Sequence, residues 1–213
     1  MLHSQLDHIV VTAPSLMAGV EYISQALGVT PLVGGEHPRM GTHNCCLKLG
    51  KKIYLEVIST NPKAPSPDRP RWFHLDNPDA ERTARLATWI ARTDDIQAAV
   101  SSSPVFPGDI ESMNRGDFNW QITIPNDGSL PLGGVAPTLI QWQGIHPAER
   151  MHDLGCSLIR LEGFHPEAEK VSAMLEFIGF HGDFSVSTLA PGKSPYLVAH
   201  INTPTGQKKL CTS

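Results

Sequence analysis

The sequence predicts an α+β chain built from tandem βαβββ units. Three observations predict it. Short strand-like runs surround one amphipathic helix near the start, in the order β-α-β-β-β. The same order begins again at Leu86, and a third time at Cys156. The repeat of roughly 60 residues is slightly longer than the usual repeat periods. The expected organisation is a first module over residues 1–62, a connection over 63–85, a second module over 86–148 and a third, partial unit over 149–213.

Residues 6–12 read as a strand. Ser15 then offers an N-cap, Leu16, Val20, Ile23 and Leu27 recur at helical spacing, and Gly28 supplies the stop. Residues 30–33 are a short strand that Gly34-Gly35 is expected to break. Residues 44–49 and 53–59 form a hairpin through Gly50-Lys51-Lys52. Prolines 62, 65, 67 and 70 mark a surface connection. In the second pass, 86–92 is a strand, Thr93-Asp94-Asp95 caps a helix, and 118–125 and 138–143 are strands around the Asn126-Asp127-Gly128 turn. In the third, the strand 156–164 leads through His165-Pro166-Glu167 into a helix ending at Gly179. Residues 185–189, 195–201 and 208–211 are its closing strands.

The chain of 213 residues is 40% hydrophobic, enough for a real core, and its 18% charged content excludes a disordered chain. No apolar run approaches the roughly 18 residues of a membrane span. Met1-Leu2-His3-Ser4-Gln5 lacks the basic region and apolar core of an export signal, so a cytoplasmic location is expected. The net charge of −4 and the lack of a Lys/Arg cluster argue against nucleic acid. Cys45, Cys46, Cys156 and Cys211 form no C-x-x-C pair and read as free thiols. There is no G-x-S-x-G and no phosphate-binding G-x-x-x-x-G-K-[ST].

The chemistry centres on residues 37–58. Glu56 stands between Leu55 and Val57, so on an alternating strand it faces away from both, toward something that tolerates a carboxylate. His8 sits in a similar apolar strand. His37, Thr42, His43 and Asn44 occupy a glycine-bearing loop and are ligand-binding candidates; Thr42 and Asn44 serve equally well as loop caps. Arg115 is placed to grip an anionic group, whereas Arg71, flanked by proline, reads as surface charge. Trp72, Trp89, Trp120 and Trp142 are candidate pocket walls or core. His146, His152, His165 and His200 share no ligand spacing and read as structural or exposed.

Leu6-Asp7-His8-Ile9-Val10-Val11, the 15–28 helix, Gly41-Thr42-His43-Asn44 and Tyr54-Leu55-Glu56-Val57-Ile58 together resemble the vicinal oxygen chelate superfamily. Gly34-Gly35-Glu36-His37, Arg71-Trp72, Trp89 and Leu139-Ile140-Gln141-Trp142 near His146-Pro147 are similar to its glyoxalase-like domain branch. The resemblance covers residues 5–148 well and the last third weakly. It implies sheets curled into a half-open barrel around the site. It also implies, for metal-using members, ligands from the first and last strand of each module. Carried over, these are His8 and Glu56 in the first module; the second offers Thr88 or Trp89, and Gln141. The implied activities are metal-assisted lyase, isomerase or dioxygenase chemistry on a small organic molecule, with Glu56 as ligand or base. A metal-free Glu56 base would have its pKa raised by apolar walls. The alternative is a metal-free binding or sequestering protein of the same fold, so a divalent metal cofactor stays open. Homodimerisation is common in this architecture, and the third unit is the alternative cover for the barrel.

Overall fold

The computed structural model describes residues 2–77 and 83–212; residues 78–82 of the expected connection lie outside the described residues. The first unit comprises β1 (Ser4–Thr12), α1 (Leu16–Leu27), β2 (Leu32–His37), β3 (Thr42–Gly50) and β4 (Ile53–Thr60). Its helix is bounded as the sequence dictates. The Ser15 side chain accepts from the Ala18 N–H, and Gly28 leaves the helix at φ 71°, where a side chain would be strained. The second unit comprises β5 (Arg85–Thr93), α2 (Ile96–Ser102), β6 (Asp109–Arg115), β7 (Phe118–Ile124) and β8 (Thr138–Gln143). Asp95 caps α2 through the Ala98 N–H. The third comprises β9 (Ser157–His165), α3 (Ala168–Phe177), β10 (Phe184–Thr188), β11 (Tyr196–Thr203) and β12 (Gly206–Cys211).

The first two units share one eight-stranded sheet in the order β2-β3-β4-β1-β5-β8-β7-β6. The order reads alike from either edge, because in each unit the last strand lies parallel to the first and the strand after the helix goes to the edge. The units join where β1 and β5 run antiparallel. The sheet curls until its edges approach, and side chains rather than strand pairing span the gap. Arg39 on the β2–β3 connection reaches the Ser112 carbonyl at 2.8 Å and the Glu111 carboxylate, and Arg115 on β6 reaches His37 on β2.

Gly34 and Gly35 do not break β2, contrary to the expectation from sequence. They lie within it at a register shift between Val33 and Glu36. A Cβ at Gly34 would lie 2.2 Å from Asn44 Oδ1, so only glycine lets that side chain in. Residues 42 and 43, expected as loop before a strand from Asn44, are the start of β3.

The third unit keeps the β-α-β-β-β order but pairs differently. Its sheet runs β10-β9-β11-β12, with β10 directly beside β9. It packs on the convex face of the curled sheet. Trp89, fully buried, stacks on Phe184 at 4.6 Å, meets Phe180 edge-on and donates its indole hydrogen to the Val135 carbonyl. Trp89 therefore belongs to this outer core and not to the pocket. Ser4 at the start of β1 is held by the third unit: its N–H donates to the Gly179 carbonyl, its hydroxyl to that of Ile178, and its carbonyl accepts from the His181 N–H. No helix among the described residues is long and apolar enough to cross a membrane.

Replacing Trp89 with Ala removes a fully buried indole at the joint between the two sheets. We expect urea denaturation to show a loss of about 3–5 kcal/mol. A loss below 1 kcal/mol would mean that the sheets do not depend on this contact.

Candidate functional site

On the concave face, β1 and β4 bring His8 and Glu56 together, with His8 Nε2 3.5 Å from a Glu56 oxygen. Both are almost fully buried. Their placement depends on a bulge. The β1–β5 register slips between Leu6 and His8, so Asp7 is an extra residue in β1. Strict alternation would send Asp7 and His8 to opposite faces. The bulge turns Asp7 inward beside its neighbour, and Asp7 Oδ1 takes the His8 Nδ1 hydrogen at 2.7 Å.

Asp7 has no exposed surface, and it is satisfied by two further donors on Oδ2: Trp142 Nε1 at 3.0 Å and His146 Nε2 at 2.9 Å. The Ala148 N–H donates to His146 Nδ1, so the hydrogen of that ring sits on Nε2 and points at Asp7. His146 is thus a buried, structural member of the network, although no spacing in the sequence links it to Asp7.

Burial favours neutral Asp7, but the hydrogen bonds from His146 and His8, with the His8 charge, outweigh it and hold the carboxyl well below its usual range. Burial also opposes charge on His8, yet its bonds to Asp7 and Glu56 raise it to about 9. Glu56 would be raised by burial, but the His8 bond and charge, with His37 and the Asn44 amide, bring it to about 2. The raised Glu56 expected from apolar walls is therefore corrected: at neutral pH the arrangement is carboxylate, imidazolium, carboxylate. Such a Glu56 is a hydrogen-bond acceptor and a poor general base, since a good one titrates near the working pH.

Around this triad a second polar tier sits on β2, β3 and β6. Asn44 donates its amide to Glu56, while its Oδ1 accepts from the Gly35 N–H at 2.8 Å and from Arg115 at 3.3 Å. Arg115 also donates to His37 Nε2 at 3.1 Å. His37 therefore carries its hydrogen on Nδ1, facing Thr42 Oγ1 at 3.1 Å. Burial is the largest cause that lowers His37, to about 4, so it stays neutral beside the guanidinium. Thr42 orients His37 from behind. His43 points to the other side of β3 and meets Ser59. Arg71 is tied to Asp76, outside the pocket.

The facing wall is apolar: Trp72, Phe73, Trp120, Ile122, Ile140 and Trp142. The inner cavity is only about 30 Å³, room for about two waters at roughly 10–15 Å³ each. It adjoins a cleft of about 450 Å³ lined by Arg39, Ser112, Met113 and Asn114. His37, Trp72, Arg115 and Trp120 line both spaces and form their junction.

The residues present do not fit a metal. Glu56 pairs with Val10, two residues past His8; in the second unit Ile140 pairs with Arg92, two past Ile90. The positions matching His8 and Glu56 are therefore Ile90 and Ile140, and neither donates. Gln141, the expected counterpart, is one residue out of phase. It faces the convex side, accepts from the Ile96 N–H and donates to the Asp94 carbonyl at the start of α2. A divalent ion needs three or four converging donors. Here the Asn44 N–H occupies one Glu56 oxygen and His8 faces the other, and among the described residues no group of three His, Cys, Asp or Glu is arranged to hold a metal ion. Cys45 and Cys46 are also unfit as ligands or nucleophiles, because burial raises both thiols.

The glyoxalase-like domain family matches residues 6–178 of the chain. Among solved structures, Streptomyces coelicolor methylmalonyl-CoA epimerase with 2-nitronate-propionyl-CoA is 17% identical over 66% of this chain and 96% of that one, with a TM-score of 0.45. The epimerase from Mycobacterium tuberculosis is 13% identical, covering 66% of this chain and 87% of that one, with a TM-score of 0.43. A 4-hydroxymandelate synthase from Streptomyces coelicolor is 14% identical over 99% of this chain and 63% of that one, with a TM-score of 0.45. No curated protein matches the chain.

The ion triad sets the pH dependence of stability. Glu56 is depressed from 4.5 to about 2, so its contribution is present above pH 4.5 and lost as pH falls toward 2. His8 is raised from 6.5 to about 9, so its contribution is complete below 6.5 and lost as pH rises toward 9. Urea midpoints should peak between these limits, and Glu56→Gln should flatten both flanks. Asp7→Ala leaves His8 and His146 without their acceptor and should cost about 3–5 kcal/mol. A profile for Glu56→Gln that matches the wild type would rule out the coupled triad.

Proposed function

The chain belongs to the glyoxalase-like domain family, and we propose that its curled sheet binds a small organic anion without a metal. The body of the ligand occupies the cleft of about 450 Å³, a volume typical of ligand sites. Its anionic group lies against Arg115 at the mouth of the inner cavity.

Arg115 carries this reading. Its partners, His37 Nε2 and the Asn44 carbonyl, are neutral. Among the described residues no carboxylate lies at ion-pair distance from it, whereas Arg39 and Arg69 both grip Glu111. A guanidinium with free charge in a concave, tryptophan-walled site attracts an anion, and its planar fork matches a carboxylate. Binding rather than acid–base catalysis is supported by Glu56 and His8, whose values of about 2 and about 9 leave neither poised near neutrality.

Calorimetric titration with benzoate and phenylacetate, against benzyl alcohol as the neutral control, tests the proposal. The carboxylates should bind and the alcohol should not, and a chelator should leave the affinity unchanged. Arg115→Ala should weaken binding by about tenfold to a hundredfold, and Arg115→Lys by less. Equal binding of the alcohol, or an unaffected Arg115→Ala, would remove the anion from the reading. Ligand consumed during an NMR time course would replace the binder with a metal-free enzyme.

A further inference from the structure

Trp72 is 4% exposed, and its indole nitrogen is buried with no hydrogen-bond partner. A buried N–H without an acceptor is rare and costly. Two tryptophans on the sheet avoid the problem: Trp89 donates to Val135 and Trp142 to Asp7. The other orphaned side-chain atoms among the described residues belong to Thr12, Arg69, Arg71 and Arg85, and none of these residues lines the cavity or the cleft. Trp72 lines both.

The backbone next to this donor is strained. Phe73 stands at φ 56° and His74 at φ 57°, consecutive non-glycine residues in the left-handed region. Such conformations persist where the surroundings impose them, and they collect at ligand sites. Here clamps on both sides impose them. Asp76 takes the Arg71 N–H at 2.7 Å and its guanidinium at 2.6 Å, and the His74 N–H donates to the Gly128 carbonyl at 2.8 Å. Phe73 lines the inner cavity, so strain and orphaned donor share the segment that walls the site. His37 lies between Trp72 and Arg115, its ring edge-on to Trp72 at 5.1 Å and its Nε2 3.1 Å from the guanidinium.

We propose that the Trp72 indole N–H is a hydrogen-bond donor to the ligand. It takes one oxygen of a carboxylate whose other oxygen lies on Arg115. The strained Trp72–His74 segment shifts to deliver it, relieving the backbone as the bond forms. This deepens the anion reading and rests on it: the ligand class narrows from anions in general to those whose anionic group offers two oxygens, one to each donor.

Replacing Trp72 with 3-benzothienylalanine, in which sulfur stands where the indole N–H was, keeps the ring packing and removes only the donor. The variant's urea midpoint without ligand should rise, because a buried unsatisfied group is gone, while its affinity for phenylacetate should fall about tenfold. His74→Gly leaves Trp72 and Arg115 in place and relaxes the unliganded backbone, so it too should raise the midpoint and weaken phenylacetate. Gains in stability paired with losses in affinity are the expected signature. Wild-type affinity in the benzothienylalanine variant overturns the donor role, and wild-type affinity in His74→Gly overturns the shift. An unchanged or lowered midpoint in the benzothienylalanine variant overturns the unsatisfied donor itself, and that measurement needs no ligand. If wild-type protein binds neither benzoate nor phenylacetate, the anion reading falls first and takes the assigned ligand oxygen with it.

Discussion

The half-barrel depends on a single buried anion. Asp7 has no contact with solvent, and it is tolerable only because three donors converge on it from β1, β8 and the turn after β8. These donors belong to both units of the sheet, so satisfying Asp7 fixes how the two halves meet. The same demand sets the site. Asp7 orients His8, His8 faces Glu56, Glu56 takes the Asn44 amide, and Asn44 offers its oxygen to Arg115. A displacement at the bulge would travel along this series to the mouth of the cleft.

A curled sheet that stops short of closure has two edges with unpaired backbone groups, which invite association with other strands. In this protein the edges approach each other, and Arg39 and Arg115 bridge them from opposite sides. Gly34 and Gly35 make the approach feasible, since side chains there would collide with Asn44 and Arg115. Closing the seam and forming the cleft are thus one task carried by the same cations. The third unit takes no part in it, because it covers the opposite face.

Much of this was legible in the sequence, and what was not has identifiable causes. The helix from Leu16 to Leu27 announced both its ends through Ser15 and Gly28, and the hairpin of β3 and β4 through its alternation. Strand β6, Asp-Ile-Glu-Ser-Met-Asn-Arg, was not singled out because it has almost no β-branched residues and is held by its neighbours. Gln141 was misplaced by one residue, enough to move a side chain through the sheet. His8 and Glu56 could be paired from their strands, but Asp7 could not, because a bulge breaks the alternation on which the reading relied. The pairing of the third sheet is a tertiary choice: three units share an order of elements, and only two share a topology.

The grip on Ser4 has a consequence for how the molecule assembles. The near end of the strand carrying Asp7 and His8 is anchored by a carbonyl 174 residues further on. Contacts so distant in sequence form late and slow folding. A growing chain therefore holds its histidine–carboxylate strand without this brace until Ile178 has emerged. A fragment that ends before Ile178 would contain every residue of the pocket and still leave the start of its central strand unfastened.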